Sequence, residues 1–131
     1  MPRVFVDTSY VIALINPRDQ YHEQAMGLAK LYIGQPVLTT DAVLLEVGNM
    51  LARNHRTEAV RAINTFLLSS EVEVIHLHKA LLQRALSLYE QHQDKAWGLV
   101  DCISFVVMRD ESIYKALSFD QHFIQAGFEI L

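Results

Sequence analysis

The chain has 131 residues, of which 51% are hydrophobic and 20% charged; this suits one domain with a real core and excludes a disordered chain. No apolar run is long enough to span a bilayer, and the opening MPRVFVD lacks the apolar stretch of a signal peptide, so a cytoplasmic protein away from the membrane is expected. A net charge of −4 weighs against nucleic-acid binding through bulk charge, and the single Cys102 leaves no internal disulfide framework and suits a reducing compartment.

Residues 3–6 read as a first strand, and residues 9–16 as a helix stopped by NPRD. A helix from Tyr21 to Tyr32 closes at Gly34 and gives way to a strand, PVLTT, over 36–40. Thr40 or Asp41 can cap a helix over 42–53, where Val43, Leu44, Val47 and Leu51 keep a helical period. A helix over 57–69, a strand VEVIHL over 72–77 and a helix over 79–92 follow. GLVDCISFVVMRD reads as a strongly apolar helix, IYKALSF (113–119) as a strand, Gln121 to Ala126 as a short helix and FEIL as a last strand. Apolar strands alternating with helical segments predict a single α/β domain over 1–131, with a mostly parallel central sheet of about five strands.

Ligands in such sheets bind beyond the carboxyl ends of the strands, and four acids map there. Asp7 ends the first strand and Asp120 the fourth; Glu46 lies about one turn into the helix after the second, and Asp101 near the start of the apolar helix. Carboxylates converging from remote segments repel one another unless a hard cation lies between them, and Mg²⁺ or Mn²⁺ takes oxygen ligands of this kind. Such an ion can polarise a phosphoryl oxygen, lower the pKa of water and steady a leaving oxygen, which is chemistry for phosphodiester hydrolysis. Bound ions would also reset the local charge and leave phosphate contacts to Arg and Lys elsewhere. A second reading stands beside this one: Asp7 in DTS and Asp120 can each cap the helix that follows.

The motifs VFVDTSYVIALI, LLEVGNML, WGLVDCISFVVM and ALSFDQHFIQAGFEIL resemble the PIN-domain family over essentially the whole chain, and its VapC-like toxin branch in particular. The resemblance implies a Rossmann-like sheet with helices on both sides and a metal-dependent ribonuclease. It implies Asp7, Glu46, Asp101 and Asp120 as the metal-binding and catalytic quartet, with Mg²⁺ or Mn²⁺ as cofactor. It further implies an RNA substrate such as tRNA, a homodimer, and a cognate antitoxin that blocks the site. Gly98 departs from relatives that carry Ser before the Asp-bearing helix, which leaves that helix without a side-chain cap.

Other residues carry weaker signals. Thr8 and Ser9 can orient a carboxylate or cap the first helix; Ser118, two residues before Asp120, shares its side of the strand; Asp94 reads as a turn residue or an outer partner of the site. Arg53, His55 and Arg56 form the densest basic group, suited to RNA phosphates or to a helix C-terminus. His76 and His78 lack a third zinc ligand at a recognisable spacing, His122, next to the acidic edge, can touch a phosphate but reads first as a solvated first-turn residue, Trp97 packs or covers a helix start, and Cys102 reads as a small buried hydrophobe. Apolar side chains over 9–32 and on the helix from 42 offer dimer and antitoxin contacts.

Two other functions compete. A haloacid dehalogenase-type phosphatase also places Asp after its first strand, but wants a second Asp where Ser9 stands. A non-catalytic PIN module binding RNA or protein would not need the quartet intact.

Overall fold

The computed structural model describes residues 3–131. Strands β1 (Val4–Val6), β2 (Val37–Thr40), β3 (Val72–Ile75), β4 (Lys115–Leu117) and β5 (Glu129–Ile130) form one sheet in the order β3-β2-β1-β4-β5. Every neighbouring pair is parallel, so the sheet is more uniform than the mostly parallel one expected. Helices α1 (Thr8–Ile15) and α2 (His22–Tyr32) join β1 to β2, α3 (Asp41–Met50) and α4 (Arg56–Leu68) join β2 to β3, α5 (Lys79–Gln91) and α6 (Leu99–Asp110) join β3 to β4, and α7 (His122–Gln125) joins β4 to β5. Right-handed crossovers place α1–α4 on one face; the chain then reverses across the sheet and places α5–α7 on the other.

Burial from both faces explains why β1 reads VFV without alternation: all three side chains are buried. It also explains α6, where every residue from Cys102 to Met108 is buried. On that side Phe105 packs edge-on against Phe123 (ring centres 5.0 Å apart) and Trp97 (5.1 Å).

Several boundaries fall short of expectation: the strand read over 113–119 covers only Lys115–Leu117 and the last strand only Glu129–Ile130, and two further cases have a visible cause. The helix expected over 42–53 ends at Met50, and the chain turns through Leu51 to a left-handed His55 (φ 65°) before α4. β3 ends at Ile75 rather than 77, because the Leu77 N–H donates to the Asp41 carboxylate (2.9 and 3.1 Å) instead of extending the sheet. Thr40, rather than Asp41, caps α3 by accepting the Val43 N–H.

Candidate active site

Sheet order alone brings the two ends of the chain together. β1 lies between β2 and β4, and Val6 pairs with Leu117, so Asp7 emerges beside Ser118 and Asp120. Here the connections leave β1 and β4 in opposite directions, which opens a crevice at the carboxyl edge.

Asp7 does two jobs. It is the N-cap of α1, accepting the Ser9 N–H at 3.3 Å. The same oxygen, Oδ2, also accepts the hydroxyls of Ser9 (2.7 Å) and Ser118 (2.8 Å). Each hydroxyl has one proton, spent on Asp7, and in turn accepts a backbone N–H: Ser9 from Phe119 (2.9 Å), Ser118 from Asp120 (3.0 Å). The Asp7 side chain is buried, and burial outweighs these three bonds: the carboxyl is pushed from its ordinary 3.8 up to about 6. The nearby Asp101 charge pushes the same way.

Asp101 and Asp120 meet at His122. The His122 Nδ1 lies 2.9 Å from Asp101 Oδ2 and 3.2 Å from Asp120 Oδ1. Backbone donors hold the same two oxygens, Gly98 N–H on Asp101 (3.1 Å) and His122 N–H on Asp120 (2.9 Å). Gly98 is the N-cap of α6 and has no side chain to offer, so Asp101 closes the helix start by reaching back to the Gly98 amide. Burial raises the Asp101 carboxyl, His122 and Gly98 bonds oppose this, and the Asp120 charge adds to it. Among the described residues, Asp101, Asp120 and His122 form the group whose ligand atoms lie close enough together to share a metal ion, all within 4.8 Å.

Glu46 reaches the same cleft from α3, half-buried and without a hydrogen-bond donor on its carboxylate among the described residues. The cleft measures about 740 Å³ and is lined by Asp7, Glu46, Asp101 and Asp120 together with Asp19 and His122. Among the described residues, no Lys or Arg lines it. Thr8 lines it too; its hydroxyl is the one buried side-chain polar atom among the described residues without a partner. This donor set fits a hard divalent cation: Asp7, Asp101 and Asp120 each have one oxygen tied to the chain and one free of it, and no resident Lys or Arg balances their charge.

The remaining candidates fall elsewhere or take other partners. Ser9 and Ser118 hold Asp7, and Thr8 begins α1 rather than capping it. Asp94 lies outside the cleft, exposed in the turn after α5 and paired with Lys95 at 3.2 Å. Arg53 and Arg56 are exposed around the turn between α3 and α4, not at a helix C-terminus, and Arg56 Nε donates to Ala52 O. His55 lies in a neighbouring cavity with Arg18 and Asn54, joined to the acidic cleft through Met50. His78 caps α5, His76 pairs with Asp41, Cys102 is fully buried, and Trp97 packs while donating to Gln125 at 3.0 Å. His122 is the correction among the histidines: the structure ties it to two carboxylates. Asp19, Tyr21 and Arg18 were not singled out from the sequence. Asp19 and Arg18 sit in NPRD, a turn whose composition says nothing of what it faces.

Residues 4–129 match the family model described as PIN domain. The chain is 37% identical, over 95% of both lengths, to the 23S rRNA-specific endonuclease VapC20 of Mycobacterium tuberculosis. The crystal structure of that protein, a sarcin–ricin loop cleaving toxin, matches with a TM-score of 0.87 at 34% identity over 95% of both chains. VapBC2 of Rickettsia felis, bound to a DNA fragment from its promoter (TM-score 0.69, 13% identity, 98% of this chain and 96% of that one), and FitAcB of Neisseria gonorrhoeae (0.66, 14%, with the same coverage) share the fold.

Proposed function

The chain belongs to the PIN-domain family and its VapC-like branch, and from that premise we propose that it is a divalent-metal-dependent endoribonuclease, the toxin of a toxin–antitoxin pair. The observation that carries this is the convergence of Asp7, Glu46, Asp101 and Asp120 on one cleft without a Lys or Arg. Mg²⁺ or Mn²⁺ bound there supplies charge neutralisation, polarisation of the scissile phosphodiester and a more acidic water. Asp7, Glu46, Asp101 and Asp120 hold the ion; Ser9 and Ser118 fix the Asp7 carboxylate and are support, not ligands. Arg18 and His55, in the cavity beside the cleft, meet the phosphates that flank the cut, and the exposed Arg53 and Arg56 next to His55 in the chain extend this contact.

The substrate follows the relative more than the wider family. VapC20 is a 23S rRNA-specific, sarcin–ricin loop cleaving toxin, so a ribosomal stem-loop is the first RNA to offer and tRNA the second. A cognate antitoxin covering the cleft, a homodimer and a cytoplasmic location complete the reading. No helix among the described residues is long and apolar enough to cross a membrane.

The test is cleavage of a synthetic sarcin–ricin stem-loop and of bulk tRNA by purified protein, with Mn²⁺, Mg²⁺ or chelator. Cleavage that needs the ion and drops at least about 100-fold in Asp7→Asn and Asp101→Asn is expected. Undiminished cleavage by those variants would sink the proposal. Ion-independent RNA binding without cleavage would favour the non-catalytic module. Growth arrest on expression, relieved by the product of the adjoining gene, checks the toxin assignment.

A further inference from the structure

His122 stands between two of the proposed metal-binding carboxylates, and the function proposed above gives it no task. Its Nδ1 faces Asp101 Oδ2 at 2.9 Å and Asp120 Oδ1 at 3.2 Å. Both neighbours are acceptors, so Nδ1 must carry a proton here; a bare lone pair would face two oxygens and be repelled. A protonated nitrogen has no lone pair for a metal, so in this arrangement Nδ1 is a donor and not a ligand; only Nε2 keeps a lone pair.

Its position is fixed from two directions. The His122 backbone N–H holds Asp120 Oδ1 at 2.9 Å, and the next residue, Phe123, is fully buried against Phe5 and Phe105. The result repeats what Ser9 and Ser118 do for Asp7: one oxygen of each carboxylate is anchored by the chain, and the other is free of it. A second observation marks the cleft as built for something the chain lacks. The Thr8 hydroxyl, on a residue only 4% exposed, lines it with no partner.

We propose that His122 is a positioning residue: its Nδ1–H, donated to Asp101, and its backbone N–H, donated to Asp120, hold the two carboxylates turned so that their remaining oxygens are presented to a divalent cation. The inference rests on the metal-dependent reading above. Removing the Nδ1 proton leaves Asp101 held by the Gly98 N–H alone and takes a positive edge away from Asp120, and partners of this kind are worth about 10–100-fold in metal affinity.

The experiment measures Mn²⁺ affinity by calorimetry on the full chain, stripped of metal, for wild type, Asp101→Asn, His122→Asn and His122→Phe. Asn can place an amide N–H near the position of Nδ1; Phe keeps the ring and has no donor. Binding within about threefold of wild type is expected for His122→Asn, and binding about 10–100-fold weaker for His122→Phe. Circular dichroism and thermal unfolding in chelator show whether the Phe variant is folded; if it is not, His122→Ala replaces it. Wild-type affinity in the donorless variant overturns the inference and leaves the metal reading intact. An Asn variant as weak as the Phe variant overturns it too, and nitrogen coupling in the pulsed EPR spectrum of the wild-type Mn²⁺ complex would then make His122 a ligand. A wild type that binds no Mn²⁺, like Asp101→Asn, defeats the metal reading and the inference together.

Discussion

Asp7 holds the start of α1 with one oxygen and leaves the other for the cleft, and its burial sets how the protein answers pH. Its carboxyl is pushed from 3.8 up to about 6, so the folded state keeps this proton to a higher pH than the unfolded chain does. Between about pH 4 and about pH 6 the folded state therefore binds more protons, and stability falls as pH rises through that window. The full shift amounts to about 3 kcal/mol for the metal-free protein. Asp7→Asn still offers an oxygen to Ser9 and Ser118 but has no charge to bury. In chelator it should be the more stable protein above about pH 6 and should lose this advantage towards about pH 4. Urea unfolding at both ends of the window checks this; parallel pH curves for the two proteins would refute it. The acids were legible in the sequence because each interrupts or follows an apolar run at a position the α/β pattern sends to one edge. His122 was not, because a histidine in a first turn reads the same whether it is solvated or tied to two carboxylates. Asp94, close to Asp101 along the chain, takes the turn position read for it and pairs with Lys95 outside the cleft.

The elements were legible where burial dictates pattern, as in β1, α6 and the parallel order that follows from alternating strands and helices. They were less so where a distant side chain decides a boundary. β3 looks two residues longer than it is, since His76 and Leu77 continue its alternation; the group that stops it, Asp41, lies 36 residues upstream of Leu77. Asp41 ties the start of α3 to the end of β3 through the Leu77 amide and His76. Its replacement by Ala should cost about 1–2 kcal/mol, the value of losing an amide bond to a partly exposed carboxylate. Urea midpoints with unchanged slope would register it, and a loss below about 0.5 kcal/mol would mean that water replaces the carboxylate without penalty. The early end of α3 leaves a turn that carries Asn54 and His55 to the cavity beside the cleft.

The molecule as a whole keeps its acids in a cleft while its net charge is only −4. Mn²⁺ at about 100 times its dissociation constant should add about 2.7 kcal/mol to the stability of wild type. Asp101→Asn should gain much less, and in chelator it should unfold at a higher temperature than wild type, because burial and the Asp120 charge both oppose ionisation of Asp101. Thermal unfolding of the two proteins with Mn²⁺ and with chelator decides it; equal responses to the ion would place the metal elsewhere. With Arg18 and His55 in the cavity beside the cleft as the proposed phosphate contacts, few counterions are released, so RNA binding should weaken only shallowly as salt rises. The sheet order has a last consequence, in the timing of synthesis. β1 is made first, yet its neighbour β4 and the acid that follows it, Asp120, come near the end. A ribosome making this chain adds Asp7 and Glu46 well before the strand that completes their cleft, and Asp101 shortly before it. On the proposed reading, a chain that stops before residue 120 lacks one of the four acids and should not cleave RNA, which expression of such a truncation checks.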